Sequence, residues 1–162
     1  MSASTRVLFV CLGNICRSPT AHGVFEHLLK QQGVNDIHVD SAGTGDWHIG
    51  KLPDPRTRAA AARRGYSLEH LRARTVESDD FQRFDYILAM DAANLRELRT
   101  RCPRDFRGHL GLFLEFAANS RATEVPDPYY TSGEQGFEEV LDLVEAASAG
   151  LLRHLRSGSD RG

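Results

Sequence analysis

Apolar and polar residues follow one another along this chain in blocks that switch between two periods. RVLFVCL (6–12) is an almost unbroken run of Val, Leu and Phe, the composition of a strand buried on both faces. DIHVDSAGT (36–44) alternates like a second strand, FDYILAM (84–90) reads as a third buried strand, and HLGLFL (109–114) as a fourth. Between them the period is helical. Ser18 and Pro19 read as the N-cap and first residue of a helix reaching about Gln32, which Gly33 ends. In DPRTRAAAARRG (54–65), Asp54 caps, Pro55 opens, alanines fill the middle and Gly65 terminates. DAANLRELRTR (91–101) forms a further helix. SGEQGFEEVLDLVEAASAGLLRHLR (132–156) closes the chain as a long amphipathic helix, with Phe137, Val140, Leu141, Val144, Leu151 and Leu155 at helical spacing.

Strands alternating with helices imply right-handed crossovers, and hence a mostly parallel, doubly wound sheet with helices on both faces. Such folds bind ligands outside the carboxyl ends of their strands, near the point where strand order reverses. Cys11 lies at the carboxyl end of the first strand. The 162 residues suit a single domain over 1–156, followed by a polar tail, 157–162. A composition of 41% hydrophobic and 26% charged residues is that of an ordinary globular protein, and no run approaches the roughly 18 to 20 apolar residues that span a bilayer. A net charge of −2 argues against nucleic acid, so arginine-rich stretches such as RTRCPRDFRG read as solvated faces. Three cysteines without a CxxC pair fit neither a disulfide framework nor a zinc knuckle, and MSASTRVLFVCLG lacks the pattern of a secretory signal. The expectation is a cytoplasmic chain, with no metal, no cofactor, no nucleic acid and no membrane.

The chemistry is concentrated in CLGNICRS (11–18). A loop between a strand and a helix N-terminus can aim consecutive backbone N–H groups at one point and so hold an anion. Gly13 permits close backbone approach, and Asn14 tolerates a left-handed conformation. Arg17 adds a planar fork suited to two phosphate oxygens. The same donors stabilise a negative sulfur, so Cys11 is expected as a thiolate, with Ser18 close enough along the loop to donate its hydroxyl to it. A nucleophile at the floor of an anion cradle suits phosphoryl transfer through a cysteinyl-phosphate. Neither GxGxxG nor the Gly-Lys-Ser/Thr of nucleotide loops is present.

VCLGNICRSPTA (10–21) resembles the signature of the low-molecular-weight protein tyrosine phosphatases in their bacterial type: cysteine, five residues, arginine, near the amino terminus. The resemblance continues through DSAGTGDWHIG (40–50), FDYILAMDAANL (84–95) and VPDPYY (125–130), in family order. It implies one phosphatase domain with a four-stranded parallel sheet and helices on both faces, a flavodoxin-like three-layer sandwich. It also implies hydrolysis of phosphotyrosine, with Leu12, Gly13, Asn14, Ile15, Cys16 and Ser18 joining Cys11 and Arg17 around the phosphate. The partner would be a phosphotyrosine-containing protein, a tyrosine kinase among the candidates, and the chain a monomer or weak homodimer.

A phenolate leaves poorly unless protonated, so the reaction needs a general acid across phosphorus from the nucleophile. The resemblance assigns that role to Asp127, set between Pro126 and Pro128, and makes Trp47, Tyr129 and Tyr130 the walls that flank the phenyl ring. Cys16 would either trap an oxidised Cys11 as a disulfide, as family members do, or pack beneath the loop. Asp91 would either brace Arg17 or cap the helix that follows it. The family often places a loop-supporting histidine where this chain has EHLRARTV, with His70 and Arg74 at a different spacing. A thiol-dependent arsenate reductase shares such a loop but needs a relay of cysteines, and Cys102 is the only remote one. A phosphotyrosine-binding module without catalysis would need neither Asp127 nor an intact Cys11.

Overall fold

The computed structural model describes residues 4–117, 122–128 and 135–159. Four strands, β1 (Thr5–Cys11), β2 (Ile37–Gly43), β3 (Tyr86–Ala89) and β4 (His109–Leu112), form one parallel sheet in the order β2-β1-β3-β4. Helix α1 (Arg17–Gln31) joins β1 to β2, α2 (Pro55–Arg63) and the short α3 (Asp80–Arg83) lead to β3, and α4 (Ala92–Arg101) leads to β4. A 3-10 turn (Phe113–Phe116) follows β4, and α5 (Gln135–Ser159) closes the chain. This is the doubly wound α/β sandwich expected from the alternation of periods.

The unbroken apolar run of β1 now has its reason. Val7, Phe9 and Cys11 face one layer, packed with Phe25 and Val24 of α1 and Phe137, Leu141, Val144 and Leu151 of α5. Leu8 and Val10 face the other, against Phe81 of α3 and Leu95 and Leu98 of α4. A central strand covered on both sides needs apolar residues at every position, not every second one. Phe9 anchors the first layer, with ring centroids 5.9 Å from Phe25 and 4.8 Å from Phe113. All six residues singled out on α5 are buried. No helix among the described residues is long and apolar enough to cross a membrane.

Two helix starts follow the expected capping chemistry, and one does not. Asp54 accepts the Arg56 N–H with Pro55 opening α2, and Asp91 accepts the Asn94 N–H at the head of α4. Ser18, expected as an N-cap, instead lies inside the first turn of α1, which begins at Arg17 with Cys16 preceding it and making no side-chain cap. Its hydroxyl turns inward, because a buried sulfur and a buried amide offer it partners that the helix end does not. The closing helix runs on through Ser159, taking up the first three residues of the polar tail. The short α3, with no period long enough to reveal it, was not legible in the sequence.

Candidate active site

Cys11 ends β1, where strand order reverses between β1 and β3, and is 3% exposed. The Asn14 N–H donates to its Sγ at 3.3 Å, and Ser18 Oγ lies 3.0 Å from the same atom. Asn14 adopts φ 57°, the left-handed conformation a short amide side chain tolerates best after glycine. Its Nδ2 donates to Ser18 Oγ at 2.8 Å while its Oδ1 accepts the Arg74 backbone N–H at 2.9 Å. Since Nδ2 can only donate, Ser18 is the acceptor there and keeps its own proton for the sulfur or for the Ala42 carbonyl at 3.4 Å. The shorter contact is the sulfur.

Arg17, 3% exposed, is fixed by its Nη1, which donates to Asp91 Oδ2 at 2.7 Å and to the Val125 carbonyl at 3.0 Å. Both Nη1 protons are thereby used. Nε and Nη2, the edge that makes bidentate contacts with an oxyanion, have no hydrogen-bond partner among the described residues, although Asp127 Oδ2 faces Nη2 at 3.6 Å. Burial by itself would ease the guanidinium toward losing its proton; the charges of Cys11, Asp91 and Asp127 outweigh it and hold Arg17 above its ordinary range. Asp91 carries out both roles weighed for it. One carboxylate oxygen holds Arg17 and the other caps α4 through the Asn94 N–H at 2.7 Å.

These groups surround a cavity of about 360 Å³, with Cys11, Cys16, Arg17, Asp127 and the walls Leu12, Gly13, Ile15, Trp47 and His48 at its surface. Asn14 and Ser18 lie behind the loop and shape it from beneath. Trp47 is 65% exposed at the rim. Tyr129 and Tyr130 fall outside the described residues. Burial pushes the Cys16 thiol up to about 12, so this second sulfur beside the cavity stays a thiol at neutral pH.

Three features escaped the sequence reading. His48 joins the wall next to Trp47, and only its place in the same glycine-flanked loop hinted at it. The loop's support comes from Arg74 rather than His70, whose Nε2 pairs with Glu26 at 2.7 Å on α1. Arg74 is itself held in place by Asp80, a fully buried carboxylate contacted by its Nη1 and Nη2 at 3.0 and 3.1 Å. A relay of hydrogen bonds thus runs from Asp80 through Arg74, Asn14 and Ser18 to the sulfur.

The sequence pattern described as "Low molecular weight phosphotyrosine protein phosphatase" matches residues 6–160. The low molecular weight protein-tyrosine-phosphatase of Streptomyces coelicolor is 46% identical over 155 residues, covering 93% of each chain. A protein tyrosine phosphatase from Entamoeba histolytica, with Hepes in its active site, superposes with a TM-score of 0.91 at 42% identity, covering 96% of this chain and 99% of that one. A Drosophila arginine phosphatase superposes with a TM-score of 0.87 at 31% identity over 92% of this chain and 96% of its own. With its pattern matched from the first strand to the end of the last helix, this chain belongs to the low molecular weight phosphotyrosine protein phosphatase family.

Proposed function

We propose that the chain hydrolyses phosphotyrosine in two steps through a cysteinyl-phosphate. The observation that carries this reading is the convergence of Cys11 Sγ, the cavity-facing edge of Arg17 and the Asp127 carboxylate on one cavity. In the first step the Cys11 sulfur attacks phosphorus, the bond from phosphorus to the tyrosine oxygen breaks, and Asp127 gives its proton to the departing phenolate. Arg17 Nε and Nη2 follow the equatorial oxygens as charge spreads over them. In the second step Asp127, now a carboxylate, takes a proton from the attacking water. Phosphate leaves, and the sulfur departs as an anion received by the Ser18 hydroxyl and the Asn14 N–H.

Leu12, Ile15 and Trp47 give the cavity apolar walls, which suit an aryl ring. A phosphoarginine, the phosphate class suggested by the name of the Drosophila relative, would bring a polar guanidino group against them. A serine phosphate, with one carbon between its backbone and its ester oxygen, reaches less far toward a sulfur that is almost wholly buried and has no ring to set against these walls. Described cysteines that are all free fit the expected reducing cytoplasm, where phosphotyrosine proteins, tyrosine kinases among them, would be the substrates.

A leaving-group series tests the assignment. Asp127→Ala should slow phosphotyrosine hydrolysis by about 10²- to 10⁴-fold, the usual worth of general acid catalysis, and much less for aryl phosphates whose phenol is already acidic. The slope of log rate against phenol pKa should therefore steepen in the variant. Parallel lines would show that the proton comes from elsewhere. Phosphoarginine turned over faster than phosphotyrosine would overturn the substrate class.

A further inference from the structure

On the far side of Trp47 from the catalytic cavity lies a second hollow of about 310 Å³, with Leu12, Thr44, Ala93, Glu97 and Arg101 around it. Leu12 and Trp47 line both spaces, so the indole is a partition between them. The ring packs on Gly45, where a Cβ would meet it and the exposed indole would have to swing aside. An extended peptide that set its phosphotyrosine ring on one side of this wall would bring a neighbouring residue toward the other.

The second hollow offers one strong recognition group. Arg101, the last residue of α4, donates through Nη2 to the Thr44 carbonyl at 2.9 Å, tying its guanidinium to the loop after β2. Its Nε donates to Glu97 Oε1 at 2.9 Å. That partner sits one turn earlier on the same helix, and the two side chains are 35% and 48% exposed, so the pair is weak and open to exchange. The charged residues at its surface are Arg101 and Glu97, so with Glu97 turned away the lining is cationic.

We propose that this hollow is a subsite for an acidic side chain adjacent to the phosphotyrosine, whose carboxylate takes the place of Glu97 on Arg101. The assignment rests on reading the first cavity as a phosphotyrosine slot. The Thr44 carbonyl keeps Arg101 in position during the exchange, and Glu97 swings into water. Substrate choice then depends on a residue that never touches the phosphate.

The test compares phosphotyrosine peptides carrying Glu, Gln or Lys immediately before or after the phosphotyrosine, with para-nitrophenyl phosphate as a substrate that has no flanking residue. The wild-type enzyme should favour the Glu peptide over the Lys peptide in kcat/KM by about three- to fivefold in at least one position, the range of an exposed ion pair. Arg101→Gln should erase this preference and Arg101→Glu reverse it, both leaving para-nitrophenyl phosphate turnover unchanged. Glu97→Gln, which frees Arg101, should raise kcat/KM for the Glu peptide. A wild-type enzyme that turns over para-nitrophenyl phosphate but treats the peptides alike overturns the subsite alone, as does a preference untouched by Arg101→Glu. A wild-type enzyme inactive on every one of these substrates overturns the phosphatase reading and takes the subsite with it.

Discussion

Arg17 divides its guanidinium between two tasks, anchoring itself through Nη1 and presenting Nε and Nη2 to the cavity. A lysine retains the charge but has neither the fork nor a second anchored nitrogen. Arg17→Lys should therefore lower kcat by about 10²- to 10³-fold, as the removal of a transition-state donor does elsewhere. Asp91→Asn can still accept the Asn94 N–H through its one oxygen but turns an amide donor on Nη1, leaving that nitrogen the Val125 carbonyl alone. Since the edge facing the cavity is untouched, it should cost less than Arg17→Lys. A lysine variant within tenfold of wild type would shift the burden to the backbone of the loop. Cys16 permits a second test. Because burial holds its thiol at about 12, capture of an oxidised Cys11 needs a thiolate that is scarce at neutral pH and becomes commoner as pH rises. After a brief peroxide pulse, the activity recovered with a dithiol should increase with the pH of the intervening incubation in wild type and not in Cys16→Ser. Equal recovery in both would leave Cys16 as packing. Cys11 and Arg17 stood out in the sequence because their spacing coincided with a strand end and a helix start. His48 and Asp80 stayed hidden, because a wall residue and a buried anchor each act through neighbours brought in by the fold.

At the scale of elements, the loop after Cys11 is a strand end and a helix start held together by a third segment. The turn at Asn14 was legible, since asparagine is among the few residues that enter the left-handed region readily. Its partner was not. Arg74 binds it through a backbone N–H, a group every residue but proline carries, so no side-chain pattern announces the contact. The same segment is tied to α1 by His70 and Glu26, with His22 of α1 facing the other oxygen of Glu26 at 3.6 Å. The His22 imidazole, with His70 beside it, outweighs burial and holds the Glu26 carboxyl down at about 2 against an ordinary 4.5. A carboxyl whose folded value is depressed stabilises the fold fully above its unfolded value and loses that contribution as pH falls through the folded one. The lead in Tm of wild type over Glu26→Gln should thus shrink as pH falls from ~4.5 to ~2. A gap that does not change across this window would mean that Glu26 contributes shape and not charge.

For the whole molecule, periodicity and capping residues were enough to give four strands, every described helix but α3 and a doubly wound sheet, because each long element needs its own apolar face. The run in β1 with no polar alternation already marked it as a strand buried on both faces, and the sheet order β2-β1-β3-β4 places it in the interior of the sheet. What periodicity does not carry is how closely layers approach, and α5 shows the consequence. Gly150 sits in the middle of that helix, where glycine normally costs about 1 kcal/mol relative to alanine, so Gly150→Ala reads from sequence as a stabilising change. The structure reverses the sign. A Cβ at Gly150 would lie 1.6 Å from the Phe116 carbonyl oxygen and 2.8 Å from its carbon, and these are backbone atoms of the 3-10 turn that cannot swing aside like a side-chain tip. Helix and turn would have to part, and with them the layer in which Phe113 packs on Phe9. The expected result is a net loss of about 1–3 kcal/mol, the usual penalty of overpacking, read as a lower urea midpoint at unchanged m-value. Because Gly150 lies outside the cavity lining, the folded fraction of the variant should keep the wild-type KM for para-nitrophenyl phosphate. A midpoint equal to or above wild type would show that α5 and the turn can separate freely, and that the glycine is there for some reason other than close packing.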